Sequence, residues 1–332
     1  MLTKTFFKIF PPPKYINIPY AGFDISDEAV RCIEYSSNRH GYTLHRYGSR
    51  MLKSGIVDAG YIKDEKSLKE EISSLVKELK ISVVKASLPE ERMYLFKTEV
   101  PDANEHQIRQ GIEFKLEENV PLKASDAVFF FDRLKAEPNQ LNNQDQSSVS
   151  KTYASVSVAP RELVNSYLKV LQESDLAVIS FEIQAKAIAR AVVPYESGGT
   201  QMIVHVMNRK TGLYVVSSTV VCFTSTIAWG GEMIRGKTVE EISDNVFSLK
   251  KEIEKVYTYW NQYGEGRMIK SIIVSGHDAV AISQISHLSP NKDIHIQVAN
   301  VWQNAFSSDH YVPKMTFEDS LDYAIAAGLA LP

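Results

Sequence analysis

Short runs of β-forming residues alternate with polar turns near the start of the chain, and the same pattern returns in its second half. The first set covers residues 21–25, 29–36 and 43–49, and the second covers residues 200–227. Runs of this length, separated by turn-forming residues, predict antiparallel strands joined as hairpins. The pattern therefore predicts two β-rich units that share one plan.

Apolar residues at helical spacing follow each set of strands. They predict a helix over residues 64–79 and a longer one over residues 238–263. Continuous apolar runs at residues 81–88 and 269–276 then predict a buried strand after each helix. Because strands and helices alternate, the fold class predicted from the pattern is α/β.

A different order separates the two halves. Between residues 87 and 178 the pattern reads strand, helix, strand, strand, helix, which predicts a compact α+β unit inserted into the first domain. Residues 137–150 are polar and have no apolar period, so they predict an exposed loop. Residues 178–194 predict a strand and a helix that return the chain to the first domain.

The composition narrows the classes of function. The chain has 332 residues, of which 44% are hydrophobic and 23% charged, with a net charge of −3, so it lacks the basic excess of a nucleic-acid-binding domain. Cys32 and Cys222 have no metal-binding spacing and fit a reducing compartment. No apolar run approaches the roughly 18 residues of a membrane helix. The tail of residues 1–17 is predicted to pack on the body or stay loose, with weak membrane contact as the alternative.

The turn after the first predicted strand contains candidate chemistry. Residues 22–35 read GFDISDEAVRCIEY, so that Asp24 ends an apolar run and Ser26 begins a tight polar turn. A carboxylate can bind Mg²⁺, and a turn with a small residue can approach a phosphate. Asp27 and Glu28 add negative charge, which repels a phosphate unless a cation intervenes. A phosphate site and a simple hairpin turn both remain open.

Several stretches, taken in order, resemble a known family. Together they are similar to PilM, the actin-like cytoplasmic proteins of type IV pilus assembly, over about residues 17–331. No single stretch is decisive, but their order and spacing are specific. The stretches are GFDISDEAVRCIEY (22–35), LPEERMYLFKTEVP (88–101), IEFKLEENVPLKASDAVFFFD (112–132), TSTIAWGGEMI (224–234) and NVWQNAFSSDHYVPKMTFEDSLDYAIAAGLAL (300–331).

The resemblance implies an actin-like, ribonuclease H-like α/β fold of two domains, with a small α+β subdomain inserted in the first. It also sets the expected boundaries of the domains. These are an N-terminal tail (1–17), the first part of domain 1 (18–86), the insertion (87–178), the return to domain 1 (179–199), domain 2 with a shortened outer subdomain (200–312), and a C-terminal helix that packs back on domain 1 (313–332).

Actin-like proteins hold a nucleotide in the cleft between their two domains, so the resemblance implies ATP with Mg²⁺ as the one candidate cofactor. It assigns Asp24 as the metal ligand and predicts no catalytic residue. The candidate nucleotide-binding residues are Asp24, Ser26, Asp27, Gly230, Gly231 and Gly276.

The second turn departs from the family pattern. Residues 202–212 read MIVHVMNRKTG, with His205 in place of an aspartate and Met207 in place of a glycine. His205 has no partner in sequence that would make it a base, so we expect a strand histidine. In the family, a segment after the glycines at 230–231 flanks the adenosine, and the resemblance implies that this segment is shortened here. The last glycine cluster of the family reads SGHDA (275–279) in this chain, which keeps only Gly276. These departures predict a protein that is not an enzyme: ATP binding stays open, and hydrolysis is not expected.

The resemblance implies a cytoplasmic scaffold that binds the short cytoplasmic N-terminal tail of a PilN-like inner-membrane protein. It would lie at the inner membrane through that partner and contact other pilus assembly proteins, without nucleic acid and without a transmembrane segment of its own. The expected peptide groove lies between the first domain and the insertion, near Leu88, Pro89 and residues 94–96.

Two alternatives remain open. One is a nucleotide-switched actin-like ATPase of the same machine. The other is an FtsA-like cell-division protein, whose membrane-binding C-terminal helix is not expected after GLALP (328–332).

Overall fold

Two five-stranded sheets, each built largely from one half of the chain, organise the protein. A computed structural model describes residues 18–39, 41–134, 152–195, 197–235, 239–264, 266–283 and 288–332, and the side chains of these residues except in 239–244. The predicted tail (1–17) and most of the predicted loop (137–150) therefore lie outside the described residues.

The first domain has a sheet with the strand order β10–β6–β1–β2–β3. The first three strands form an antiparallel meander, β6 pairs with β1 in parallel, and β10 pairs with β6 in parallel. Helices cross over between the parallel strands, as parallel pairing requires. The elements are β1 (Ala21–Ile25), β2 (Ala29–Asn38), β3 (Gly41–Met51), the short pair β4 (Val57–Asp58) and β5 (Tyr61–Ile62), α1 (Glu65–Leu79), β6 (Val83–Leu88), α3 (Arg161–Glu173), β10 (Ala177–Ile183) and α4 (Gln184–Val192).

The second domain repeats this plan, with the strand order β13–β12–β11–β14–β15. Again a meander is followed by parallel strands, and the predicted long helix lies between them. The elements are β11 (Thr200–Val206), β12 (Thr211–Ser217), β13 (Val220–Ile227), α5 (Val239–Tyr263), β14 (Ile269–Gly276), α6 (Ala279–Ser283) and β15 (His295–Val298). The repeated plan confirms the expected two-domain α/β fold.

The insertion is a three-stranded sheet in the order β7–β9–β8, packed against one helix. It is narrower than the predicted 87–178. Strand β6 belongs to the first sheet, and the apolar face of α3, with Tyr167 and Leu171, packs in the core of the first domain. Local periodicity does not reveal which core an amphipathic helix joins. The elements are β7 (Tyr94–Val100), α2 (Glu105–Asn119), β8 (Ala127–Leu134) and β9 (Thr152–Pro160).

The C-terminal residues return to the first domain. The single helix expected over 316–331 is interrupted and forms α7 (Phe317–Leu321) and α8 (Ala324–Ala330). Thr316 caps α7, since its side chain accepts a hydrogen bond from the N–H of Asp319. Helix α8 packs so closely on α4 that a Cβ on Gly328 would lie 1.7 Å from the carbonyl oxygen of Ala187. This close packing fixes the end of the chain beside the cleft between the domains.

Candidate functional site

Two hairpin turns face each other across the cleft between the domains. The first turn (residues 26–28) joins β1 to β2, and the second (residues 207–210) joins β11 to β12. The backbone N–H groups of Asn208 and Arg209 both donate to the carboxylate of Glu28, each at 3.2 Å. The turns predicted to approach a ligand are thus bonded directly to one another.

A lysine makes the reciprocal contact. Lys210, on the second turn, places its Nζ 3.1 Å from Oδ2 of Asp27 and 2.5 Å from Oε1 of Glu91. The lysine side chain is only 15% exposed, so solvent screens these ion pairs less than it would at the surface. Burial alone would lower the pKa of Lys210, but the two carboxylates outweigh burial and raise it. The lysine therefore remains charged and offsets part of the negative charge of Asp27 and Glu91.

A histidine links Glu28 to the C-terminal segment. His277 Nε2 lies 3.7 Å from Oε2 of Glu28, and its Nδ1 lies 3.2 Å from Oδ1 of Asp322. Asp322 in turn lies 3.7 Å from Arg31 on β2. Burial would raise the pKa of Glu28, but hydrogen bonds from His277 and from the second turn outweigh it, and the pKa falls below its ordinary value. Glu28 is therefore held in its charged form.

Asp24, predicted as the metal ligand, is buried beneath the first turn. Its Oδ1 accepts hydrogen bonds from Ser87 Oγ at 2.7 Å and from Gln184 Nε2 at 3.2 Å. Burial raises the pKa of its carboxyl, and these hydrogen bonds offset part of that rise. Within the described part of the chain, no group of three or more His, Cys, Asp or Glu residues is arranged to hold a metal ion. The metal role of Asp24 stays a prediction.

Ser26 and Asp27 bond to the protein around them. The hydroxyl of Ser26 donates to the carbonyl of Ala29 and accepts from its N–H, both at 3.1 Å, which closes the hairpin. Oδ1 of Asp27 accepts from the N–H of Gly60 at 3.0 Å. The Ser26 contacts are those of a turn that a Ser side chain stabilises, whereas the Asp27 contact ties the turn to Gly60, 33 residues along the chain.

The three candidate glycines lie against the second turn. A Cβ on Gly230 would be 2.2 Å from the carbonyl oxygen of Asn208, and one on Gly276 would be 2.0 Å from that of Val206. Gly276 also has a φ of +87°, which side-chain-bearing residues rarely adopt. The N–H of Gly231 donates to the carbonyl of Met207 at 2.9 Å. Backbone atoms therefore occupy the space beside Gly230 and Gly276, whereas a Cβ on Gly231 would meet side chains, with Oδ2 of Asp278 at 2.9 Å.

The structure therefore gathers all six predicted nucleotide residues around one cleft. The sequence pattern indicated the negative charge of Glu28, but it did not indicate the contact of Glu28 with the second turn or the roles of Lys210, Glu91, Gln184 and Asp322. No local pattern marks such contacts, because the partners come from opposite halves of the chain. His205 is buried in β11, as expected of a packed strand histidine, and burial lowers its pKa to about 3.

A second space lies between the insertion and the second domain. This groove has a volume of about 500 Å³ and is bordered by β7, β13 and the end of α5. Phe223, Tyr259 and Tyr263 form a row along it, with ring centroids 5.7 Å and 5.2 Å apart. Tyr259 and Tyr263 are each more than half exposed. The groove therefore offers aromatic surface to a ligand.

Strand edges border the same groove. Among the described strands, β7 and β13 are the outermost of their sheets, so each has a strand neighbour on one side only. A hydrogen bond of 2.6 Å from Ser155 Oγ to the carbonyl of Val221 ties the two sheets together. Residues 94–96 line this groove, whereas Leu88 and Pro89 are buried and do not. Because it adjoins the second domain, this groove is a different space from the one expected between the first domain and the insertion, and that expectation stays a prediction.

A sequence profile described as type IV pilus assembly protein PilM matches residues 22–246, more than half of the chain. The chain belongs to this family. No curated protein matched the chain at a significant level.

Solved structures agree with the PilM assignment at the level of the fold. A PilM–PilN type IV pilus biogenesis complex matches with a TM-score of 0.75 and 16% identity, over 94% of this chain and 98% of that one. The ethanolamine utilization protein EutJ from Carboxydothermus hydrogenoformans matches with a TM-score of 0.51 and 10% identity, over 96% and 91% of the two chains. The fold is the actin-like two-domain fold.

Proposed function

We propose that this PilM-family protein is a non-enzymatic scaffold of type IV pilus assembly that binds the short N-terminal cytoplasmic tail of a PilN-like inner-membrane protein. The observation that carries the partner is the similarity to a PilM–PilN complex over 94% of the chain. In the described residues no helix combines the length and the apolar character needed to cross a bilayer. In this proposal the protein works on the cytoplasmic side of the inner membrane, held there by its partner.

The groove between the insertion and the second domain is our candidate for the tail. An extended peptide can add to a free strand edge, gaining affinity from main-chain hydrogen bonds and specificity from side-chain pockets. Strands β7 and β13 provide such edges, and the row of Phe223, Tyr259 and Tyr263 provides the apolar contact. A volume of about 500 Å³ is enough for a few side chains of a bound segment.

The contacts in the cleft support the non-enzymatic part of the proposal. A triphosphate needs free backbone N–H donors and room for close approach. Here Glu28 already accepts the N–H bonds of the second turn, and backbone fills the space beside Gly230 and Gly276. Met207, at a position where the family pattern has glycine, is 8% exposed and packed at the turn. We infer that the residues present do not fit ATP with Mg²⁺ in this arrangement.

Isothermal titration of the purified full-length protein tests the proposal. A synthetic peptide of the N-terminal tail of the PilN-like partner is expected to bind saturably, at micromolar concentrations typical of a short linear segment. A scrambled peptide of the same composition is the control. No detectable binding at high micromolar concentration would reject the partner.

A second titration uses MgATP. We expect no saturable heat and no phosphate release in a standard release assay. Saturable binding with steady phosphate release would instead favour a nucleotide-switched ATPase.

A further inference from the structure

The contact between Glu28 and the second turn has the geometry of an anion site. Two consecutive backbone N–H groups, those of Asn208 and Arg209, converge on one carboxylate at 3.2 Å each. Consecutive N–H groups in a turn form a concavity that binds anions such as phosphate. The anion here is a side chain of the opposite domain, and it comes from the turn that faces the second turn across the cleft.

We propose that Glu28 is an intramolecular ligand, which takes the place of a phosphate group and holds the two domains together without a nucleotide. The cleft residues do not fit ATP, and a side chain of the protein instead makes the contact between the domains that a bound nucleotide would make. We call the contacts of Glu28 and Lys210 across the cleft the interdomain latch.

The charges of the latch are complementary on both sides. The first domain contributes Asp27, Glu28 and Glu91, and the second contributes Lys210 and the N–H groups of its turn. An acidic first turn would repel a phosphate, but it is the turn expected if the second domain must be held by carboxylates. The acidic residues, which do not suit a nucleotide site, therefore serve to bind the second domain.

The latch is continuous with one wall of the groove. Glu91 binds Lys210 in the cleft, and a few residues later the chain enters β7, whose residues 94–97 line the groove. Glu90, which directly precedes Glu91, accepts a hydrogen bond from the N–H of Ala185 at 3.0 Å, which anchors this segment to α4. The latch thus fixes the segment from which the groove wall begins. This last step rests on the proposed function, whereas the latch itself does not.

Residue-resolved hydrogen exchange on the full-length protein tests the latch directly. In the wild type without nucleotide, the amides of Asn208 and Arg209 should be protected, and millimolar MgATP should leave their rates unchanged. Glu28→Ala should speed exchange of both amides at least tenfold, because their acceptor is gone. The amides of strand β14 should remain protected, which shows that the domain is still folded.

Two further variants keep the test decisive. Glu28→Gln has the same shape but no charge, so it should give a smaller acceleration and is available if Glu28→Ala does not fold. Glu232→Gln is the matched control, since Glu232 contacts the Arg209 side chain at 3.9 Å from within the same domain. It should leave both amides unchanged.

Chemical rescue separates an anion site from general loosening. Added acetate should restore protection of the two amides in Glu28→Ala, whereas sodium chloride at the same ionic strength should not. Unprotected amides in the wild type, or rates that Glu28→Ala and Glu28→Gln leave unchanged, would overturn the proposal. Failure of the tail peptide to bind a protein with protected amides would reject the proposed function and leave the latch standing.

Discussion

The cleft and the groove are both spaces between parts of the same molecule, yet they are filled in opposite ways. In the cleft, the two turns bond to each other through Glu28 and Lys210. In the groove, about 500 Å³ remains open beside exposed aromatic rings and two strand edges. The resemblance predicted a ligand in the cleft, whereas the open space in this structure is the groove.

This comparison shows that glycines and acidic residues beside a cleft can serve contacts within the protein. Gly230 and Gly276 permit close packing of backbone on backbone, against Asn208 and Val206. Acidic residues near the cleft remain as well, but they bind a lysine and two N–H groups of the other domain. Residue types that suggest a nucleotide site therefore need their partners before they indicate a function.

The largest expected effect concerns the glycines of the cleft. Gly276→Ala should cost about 4 kcal/mol of unfolding free energy, because a Cβ would lie 2.0 Å from the carbonyl of Val206 at a φ of +87°. Urea unfolding measures the loss. Gly111→Ala, on helix α2 with nothing within 4 Å of the new Cβ, should instead gain up to about 1 kcal/mol. A Gly276→Ala protein as stable as the wild type would contradict the claim that Gly276 is required for close packing on Val206.

The next effect concerns the lysine of the latch. Lys210→Met leaves Asp27 and Glu91 without their cation at mostly buried positions, and should cost about 3 kcal/mol. Neutralising both acids in the same protein should recover most of the loss. Lys169→Met removes an ion pair with Glu65 on the exposed surface of the first domain, and its unfolding midpoint should not change. Equal midpoints for both lysine variants would contradict a buried latch.

A pH effect is expected at the segment that joins cleft and groove. Burial raises the pKa of Glu90 to about 7, and hydrogen bonds from Ala185 and Thr224 only partly offset it. The folded pKa lies above the unfolded value of 4.5, so protonated Glu90 contributes to the free energy of unfolding. This contribution is fully present below pH 4.5 and is lost as pH rises through about 7. Glu90→Gln should therefore gain about 2 kcal/mol over the wild type at about pH 8 and almost nothing at about pH 4.

Thermal unfolding of wild type and Glu90→Gln across that pH range measures the difference. Parallel pH profiles would mean that Glu90 does not titrate as this environment predicts.

The smallest effect tests the groove. Tyr259→Ala should weaken binding of the tail peptide about tenfold, or about 1.4 kcal/mol, because an aromatic contact is lost at the groove. The residue is 51% exposed, so stability should change little. Phe114→Ala, at a ring 91% exposed on the insertion, should leave binding unchanged. If both variants bind as tightly as the wild type, the tail lies elsewhere.

Much of the fold was predictable from local pattern, because strands and helices at the core carry clear periodicity. Strand β15 was missed because its four residues alternate between half-buried and exposed positions and carry little apolar signal. The break near Asp322 in the last helix was missed because apolar residues continue on both sides of it. The bounds of the insertion were too wide because α3 joins the first domain's core through tertiary contacts.

The candidate site was less predictable, and the reason is distance along the chain. The contact of Glu28 with Asn208 joins residues 180 positions apart. Sequence alone shows Glu28 as a charge that disfavours phosphate, but it does not show that two N–H groups of the second turn donate to this carboxylate. The sequence pattern indicated Asp24 as a candidate metal ligand. Only the structure reveals that Asp24 is buried and accepts hydrogen bonds from Ser87 and Gln184.

We expect partner binding not to depend on a nucleotide, because Glu28 and Lys210 join the two domains without one. The most direct measurement is titration of the wild-type protein with the tail peptide of its PilN-like partner, with and without MgATP. We expect the same dissociation constant in both conditions and no change in the peptide's affinity when nucleotide is removed by dialysis. Binding that appears only with MgATP, or that tightens tenfold with it, would show that the partner recognises a nucleotide-bound protein.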